Sequence, residues 1–147
     1  MKKAIADWSL APASVFIQKW EGCRLEAYKC SAGVPTIGWG HTADVCMGDK
    51  ICIEQAKEYL LDDLLEFQKG LAKLVDVEVT ECQFVALMSF VFNLGLGSFK
   101  SSTLRKKLNA SDFEGAKAEF GRWVYAGGKV VQGLVNRRKE ESEFFAR

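Results

Sequence analysis

The stretch WEGCRLEAYKCSAGVPTIGWGH, residues 20–41, lacks the apolar periodicity of the sequence on either side. Ser31-Ala32-Gly33 in its middle is typical of a turn, and it separates two short runs of mixed character. Gly38, Gly40 and Gly48 indicate tight backbone in the same part of the chain. We therefore predict that residues 24–52 form a small β-hairpin region.

Helices are predicted on both sides of this hairpin region. The first covers residues 9–20, with Ser9 as a possible cap and Gly22 just beyond its end. The next is a single amphipathic helix about 35 Å long, since apolar residues recur at steps of three and four. These residues are Ile53, Ala56, Leu60, Leu64, Phe67, Leu71 and Leu74. A helix of this length is able to join two lobes.

The C-terminal half predicts a set of packed helices. Thr80-Glu81-Cys82-Gln83 is a capping box before a helix over residues 84–92 that is apolar almost all round and therefore buried. Shorter helices follow from Ser101 or Ser102, from a cap at Ser111 to a break at Gly127-Gly128, and over residues 134–145. The predicted class is α+β, with a β-containing lobe (22–52), a connecting helix (53–75) and a helical lobe (1–21 and 76–147).

Composition and charge limit the function classes. The chain has 147 residues, 48% apolar and 27% charged, which is typical of one globular domain. Residues 1–40, 41–99 and 100–147 carry net charges of +2, −6 and +5. The basic last third suits a polyanionic target, although solvated helix faces are the more common cause of such a pattern. The acidic middle and the absence of a binding motif argue against nucleic acid. No apolar run reaches the ~20 residues needed to insert into a membrane. A monomer is expected as the default, since the sequence carries no signal for an oligomer.

The five cysteines stand at irregular spacings, at 23, 30, 46, 52 and 82. An odd, irregular set is typical of a reducing cytosol and not of a disulfide framework, although Cys46 and Cys52 are open to pairing. One histidine and the Cys46-x5-Cys52 spacing do not form a zinc set, so we expect no metal and no cofactor. Asp7 and Pro12 interrupt the N-terminal segment, and we predict no signal peptide.

Glu21 is the first candidate for chemistry. It lies where a helix ends against the hairpin region, and a carboxyl group at such a junction is easily desolvated. Desolvation raises a carboxyl pKa and allows the group to act as a general acid near neutral pH. A single glutamate after a helix is more often an ordinary surface residue.

The surroundings of Glu21 resemble a known family. Glu21-Gly22-x-Arg24-Leu25-x-Ala27-Tyr28, followed by Thr36-Ile37-Gly38-x-Gly40-His41, is similar to the active-site stretch of phage-type lysozymes, the endolysins of glycoside hydrolase family 24. That family has Glu, eight residues, Asp or Cys, five residues and Thr, a spacing that falls on Glu21, Cys30 and Thr36. Further motifs follow in the family's order between residues 14 and 145: 90–95, 102–105, Arg122-Trp123, Gly133-Leu134 and Arg137-Arg138.

The resemblance implies a lysozyme-like two-lobe fold and a muramidase that cuts peptidoglycan between N-acetylmuramic acid and N-acetylglucosamine. Glu21 would protonate the leaving oxygen, while Cys30 and Thr36 would position water, with inversion at the anomeric carbon. A free thiol has a pKa of about 8.5, so it is mostly neutral at pH 7. It therefore does not provide the negative charge that a carboxylate would place beside the oxocarbenium ion. Attack by a Cys30 thiolate, with retention, is the alternative.

The resemblance also implies roles for residues outside this triad. Trp39, Phe92, Asn93, Arg122 and Arg137 are predicted to bind substrate. His41 is predicted to be structural, paired with a carboxylate of the connecting helix, for which Asp62, Asp63 and Glu66 are the candidates.

Three other functions are considered. A lytic transglycosylase also uses one glutamate but leaves an anhydro sugar, and a non-catalytic peptidoglycan-binding module needs no acid. Cys30 with His41 suggests a cysteine peptidase or amidase, but no partner set completes it. The expected biology is host lysis by an endolysin that waits in the host cytoplasm and reaches the cell wall through a membrane lesion, such as a holin makes.

Overall fold

The computed structural model describes all 147 residues and confirms the α+β class. The elements are α1 (Ala11–Trp20), β1 (Arg24–Lys29), β2 (Pro35–Gly38), α2 (Ile53–Leu74), α3 (Glu81–Leu94), α4 (Leu96–Lys100), α5 (Thr103–Asn109), α6 (Phe113–Glu119), β3 (Tyr125–Ala126), β4 (Lys129–Val130) and α7 (Gln132–Phe145). Short 3₁₀ turns occur at Ile5–Asp7 and Phe120–Arg122. No helix is both long and apolar enough to cross a bilayer.

The chain divides into two compact units, and the boundary falls inside α2. One unit is Leu10–Glu66, and the other combines Met1–Ser9 with Phe67–Arg147. This grouping places α1 in the unit that contains the hairpin. The lobe boundaries predicted from the sequence assign residues 1–21 to the helical lobe instead, and they stay a prediction.

The unit Leu10–Glu66 is built around the predicted hairpin. β1 and β2 pair antiparallel with Tyr28 opposite Thr36, and an irregularity interrupts the register between Arg24 and Tyr28. The outer edge of β1 bonds the segment before α2, since the Ala27 N–H donates to Asp49 O and the Ile51 N–H donates to Leu25 O, both at 2.9 Å. Apolar residues of α1, β2 and α2 form its core, namely Phe16, Ile17, Ile37, Ala56, Leu60 and Leu64.

The second unit is organised by α3. Its predicted capping box is present: the Gln83 N–H donates to Thr80 Oγ1 at 3.1 Å, and the Thr80 N–H donates to Gln83 Oε1 at 2.8 Å. Residues 83–91 are all buried, which agrees with the all-round apolar pattern. Phe90 of α3 is the centre of an aromatic cluster and meets Phe99, Phe120 and Trp123 edge to face.

A charged cluster is buried between α3 and α7. Glu141 is fully buried and accepts a hydrogen bond from Ser89 Oγ at 2.5 Å. Arg138 Nε lies 2.7 Å from Glu141 Oε1, and Arg137 donates to the Ser89 carbonyl at 3.1 Å. Because a buried charge is costly unless it is paired, these four residues depend on one another.

Four details of the helix ends were predicted wrongly. Ser9 does not cap α1, whose N-cap is Leu10 without a side-chain bond. The cap of α6 is Asp112, one residue after Ser111, because Asp112 Oδ1 accepts from the Gly115 N–H. This helix ends at Glu119, well before Gly127-Gly128, and α7 begins at Gln132 instead of residue 134.

Gly127 and Gly128 form the turn of a second hairpin, β3–β4, which was not predicted from the sequence. Their φ values of 59° and 77° match a primed two-residue turn, which suits the twist of paired strands and which glycine adopts without strain. Tyr125 and Ala126 pair with Val130 and Lys129 across it.

The charged cluster makes a stability prediction. The substitution Glu141→Gln is expected to lower the free energy of unfolding by about 3 kcal/mol, because two buried guanidinium groups lose their counter-charge. Urea denaturation of both proteins at neutral pH measures the difference. Glu143→Gln, on the exposed side of the same helix, is the control and should change stability by less than ~0.5 kcal/mol. Equal effects of the two substitutions would contradict the assigned role of Glu141.

Candidate active site

Glu21 is placed by the end of α1. Its N–H donates to Ile17 O at 2.9 Å, and its backbone then becomes extended, with φ −102° and ψ 134°. The helix therefore stops at Trp20, and Glu21 is the first residue beyond it. Its side chain is half-buried, between this helix end and the start of β1 at Arg24.

Cys30 begins the turn that joins β1 to β2. The Cys30 N–H donates to Val34 O at 3.0 Å, and the Gly33 N–H donates to Cys30 O at 2.8 Å. Gly33 has φ +79°, a conformation that residues with a Cβ adopt only with strain. These two bonds close the turn tightly and leave the Cys30 side chain partly exposed.

The environment of the Cys30 sulfur lowers the pKa of its thiol. The backbone amides of Val34 and Ala32 stabilise the thiolate by hydrogen bonding and have the largest effects. Partial desolvation acts in the opposite direction. The turn therefore raises the fraction of thiolate at a given pH above that of an ordinary cysteine.

Thr36 lies on β2 and is buried, with 3% of its surface exposed. Its hydroxyl donates to Val34 O at 2.9 Å, which is the carbonyl that also accepts from the Cys30 N–H. One carbonyl thus links the two predicted site residues. Because the single hydroxyl proton goes to Val34, the oxygen of Thr36 is left as an acceptor.

His41 is paired with one of the three carboxylates predicted for it. Its Nδ1 lies 2.9 Å from Asp63 Oδ2, and its ring stacks on Tyr59 with 4.3 Å between the ring centroids. Burial raises the pKa of Asp63, while the hydrogen bond and the charge of His41 oppose that rise. His41 is itself buried, and its backbone makes two hydrogen bonds with Ile37. These contacts favour the predicted structural role.

The predicted substrate-binding residues differ in their exposure. Trp39 is buried, with 7% of its surface exposed. Phe92 is half-buried and packs on Phe67 at 5.5 Å, and Asn93 is half-buried with its Oδ1 lacking any hydrogen-bond partner in the protein.

The side chain of Arg122 is 78% exposed. Arg137 is buried in the cluster with Ser89 and Glu141, which favours a structural role over the predicted contact with a polymer.

The ion-pair partner of Arg122 was not predicted. Glu119 is 4% exposed, and its Oε2 lies 2.6 Å from Nε of Arg122. The sequence does carry a signal for this pair, since an acidic and a basic residue three positions apart meet on a helical turn. What the spacing cannot show is that the carboxylate is buried while the guanidinium is exposed.

Comparisons with known proteins agree with the motifs around Glu21. A family described as Phage lysozyme matches residues 18–141. The endolysin of Acyrthosiphon pisum secondary endosymbiont phage 1 is 43% identical over 135 residues, which is 89% of this chain and 92% of that protein.

Two solved structures share the fold. A mutant of P22 lysozyme has a TM-score of 0.86 and 33% identity, covering 93% of this chain and 97% of that one. The muramidase domain of SpmX from Asticaccaulis excentricus has a TM-score of 0.87 and 30% identity, covering 92% and 95%. The chain therefore belongs to the phage lysozyme family, and it is a phage endolysin with the glycoside hydrolase activity of a lysozyme.

Proposed function

We propose that this endolysin hydrolyses the β-1,4 bond between N-acetylmuramic acid and N-acetylglucosamine in peptidoglycan, with Glu21 as the general acid. The observation that carries the proposal is the arrangement of the candidate site residues in the unit Leu10–Glu66. A half-buried glutamate directly follows its first helix, and Cys30 and Thr36 both bond one carbonyl of the following hairpin. The name of the SpmX domain, a muramidase, supports the choice of bond.

The acid step belongs to Glu21. In its protonated form it gives its proton to the glycosidic oxygen as the bond to the anomeric carbon breaks, and the sugar becomes an oxocarbenium-like transition state. Protonation of the leaving oxygen by a positioned acid contributes roughly 10²–10⁴ in rate.

The water step belongs to Cys30 and Thr36. The acceptor lone pairs of Thr36 orient a water molecule, since its only proton is bonded to Val34. The Cys30 thiolate takes one proton from this water as the water oxygen attacks the anomeric carbon. The lowered pKa of Cys30 supports this role, because it increases the fraction of thiolate that is able to accept the proton. Attack from the face opposite the leaving group gives inversion.

Substrate contacts are proposed for four of the five predicted residues. The half-buried amide of Asn93 suits a sugar hydroxyl, because an amide group both donates and accepts hydrogen bonds. Phe92 and an edge of Trp39 provide apolar surface, and the exposed guanidinium of Arg122 provides a cation. No substrate contact is proposed for Arg137, because its buried guanidinium already contacts Ser89 and Glu141.

The alternative functions fit the site less well. A lytic transglycosylase releases an anhydro sugar without water and has no use for a paired Cys30 and Thr36. A binding module has no use for an acid at Glu21. The contacts of Cys30 are with Val34, Ala32 and Thr36, and those of His41 are with Asp63 and Tyr59, so a cysteine nucleophile with a histidine base is not favoured.

The route to the wall stays the prediction made from the sequence, namely retention in the host cytoplasm until a membrane lesion opens. Monomeric state and the absence of nucleic-acid binding likewise stay predictions.

Replacing Glu21 tests the acid. The substitution Glu21→Gln is expected to lower kcat by 10²–10⁴, because an amide cannot donate the proton. The measurement is digestion of purified peptidoglycan with mass analysis of the ends. Glu26→Gln, an exposed carboxylate on β1, is the matched control and should stay active.

The same digests separate the three functions. Reducing N-acetylmuramic ends that vanish in the Glu21 variant support hydrolysis. Anhydro ends would instead identify a transglycosylase, and wall binding without any cleavage by the wild type would identify a binding module.

Replacing Cys30 tests the base. Cys30→Asp is expected to keep activity and Cys30→Ala to lose most of it, with Cys46→Ala as the exposed-cysteine control. The anomeric configuration of the first product, followed by NMR, should be inverted in the wild type. A retained configuration would show that the thiolate attacks the sugar, and a fully active alanine variant would remove Cys30 from the mechanism.

The pH profile provides an independent test of the same base. The optimum of an acid–base pair lies midway between its two pKa values, and aspartate ionises several units below cysteine. The pH optimum of kcat/KM should therefore fall by about two units in Cys30→Asp. An unchanged optimum would mean that ionisation of residue 30 takes no part in the reaction.

A further inference from the structure

A groove on the unit Leu10–Glu66 is used by no step of the proposed hydrolysis. This α2 groove lies between residues 41–51 and one face of α2, and it has a volume of about 670 Å³. None of the three candidate catalytic residues lines it. Ile37 does line it, and successive side chains of a strand point to opposite faces. Thr36 and the groove are therefore on opposite sides of β2.

Carboxylates dominate the charge of the α2 groove. Five of them line it, while Lys50 is its one lysine or arginine. The five are Asp44, Asp49, Asp62, Asp63 and Glu66. Asp44, Asp49 and Asp62 are exposed, and none of these three forms an ion pair. The groove is therefore a region of negative potential that attracts a cation.

Repulsion between carboxylates of the groove affects Asp63. Burial is the largest cause that raises the pKa of this carboxyl group, and the charge of Asp62 raises it further. The hydrogen bond and the charge of His41 act in the opposite direction. A cation bound beside Asp62 would relieve this repulsion, which supports a cationic ligand.

His41 provides the groove with a hydrogen-bonding atom that the fold does not use. The residue lines the groove and has 9% of its surface exposed. Asp63 binds its Nδ1, whereas its Nε2 has no hydrogen-bond partner in the protein. When Asp63 accepts the Nδ1 proton of a neutral imidazole, Nε2 carries a lone pair and accepts from a donor. Nε2 thus suits the same ligand as the carboxylates, one that donates hydrogen bonds.

Aromatic and aliphatic side chains lie next to these acceptors. Tyr59 stacks on the ring of His41 with 4.3 Å between the ring centroids. Tyr59, Ile51 and Leu65 all line the groove. An ammonium group is attracted to an aromatic face, and methylene groups pack favourably on aliphatic side chains. The groove therefore suits an alkyl chain that carries an ammonium group.

We propose that the α2 groove binds the free amino acid end of diaminopimelate in the peptidoglycan stem peptide, with Asp62 and Nε2 of His41 accepting hydrogen bonds from its ammonium group. The inference rests on peptidoglycan as the substrate proposed above, and it adds a second contact with the polymer, away from the bond that is cut. Such a contact would hold the enzyme on a strand between two cuts.

The chemistry of the wall supports this ligand. The sugars of peptidoglycan are N-acetylated and its other ionised groups are carboxylates, so the amino group of diaminopimelate is the cation of a strand that is not cross-linked. Lys50 suits the carboxylate that adjoins this amino group, and it disfavours a ligand that carries only positive charge. A cross-link converts the amino group into an uncharged amide, so the groove would favour strands without cross-links.

Peptide binding without catalysis is the first test. His41 is the only histidine, so its imidazole signals in NMR spectra report on the groove. The peptide N-acetyl-L-Ala-D-Glu-diaminopimelate-D-Ala, whose only amino group is that of diaminopimelate, is titrated into the protein. The same peptide with this amino group acetylated imitates a cross-link and should bind about tenfold more weakly. Equal affinity for the two peptides, or tighter binding of 1,5-diaminopentane, would overturn the proposal.

Matched variants test the assigned residues. Asp62→Asn should weaken peptide binding about tenfold, whereas Glu58→Gln removes the same charge from an exposed position of the same helix outside the groove and should change the affinity less than about twofold. Lys50→Met should weaken binding of the diaminopimelate peptide but not of the corresponding lysine peptide. Thermal unfolding of each variant checks folding. Equal effects of Asp62→Asn and Glu58→Gln would show an effect of net charge alone and contradict the site.

Binding to the whole polymer completes the test. Glu21→Gln should be retained less well by peptidoglycan whose free amino groups have been acetylated than by untreated peptidoglycan, and adding Asp62→Asn should remove this difference. In the otherwise wild-type enzyme, Asp62→Asn should raise KM and leave kcat unchanged. Retention that does not respond to acetylation would overturn the proposal. Because retention and titration need no cleavage, failure of this inference is distinguishable from failure of the proposed hydrolysis.

Discussion

The turn from Cys30 to Val34 is the constraint on which the proposed chemistry depends. Its closure needs Gly33 at positive φ and two short backbone bonds, and β1 ends and β2 begins at it. The Val34 carbonyl accepts from the Cys30 N–H and from the Thr36 hydroxyl, so it determines the orientation of both residues. The same turn provides the amides that lower the pKa of the thiol. Position and ionisation of Cys30 therefore have one structural cause.

Buried carboxylates serve two purposes in the C-terminal unit. Glu141 meets two arginines that are as deeply buried as it is, and the group ties α7 to α3. Glu119 also meets two cations, but Arg122 is exposed. The physical rule is the same in both places, since a buried charge needs compensation. The exposure of the partner decides whether the pair only stabilises the fold or also presents a cation to solvent.

Sequence patterns predicted those helices that depend on residues close together in the chain. The apolar period of α2 and the capping box of α3 depend on residues three or four positions apart, and both were confirmed. The cap of α6 was placed one residue early, because Ser111 and Asp112 are both good caps. The second hairpin was missed because two glycines in succession are read equally well as a helix break or as a primed turn.

The sequence by itself determined the family and the candidate triad, since the spacing of Glu21, Cys30 and Thr36 is a property of the chain alone. It also narrowed the partner of His41 to three carboxylates. Only the tertiary structure selected Asp63 among them, buried Arg137 beside Glu141, and placed a buried Glu119 beneath an exposed Arg122. The reason is physical: burial, and with it the role of a charged side chain, depends on elements that are distant in the sequence and meet only when the chain has folded.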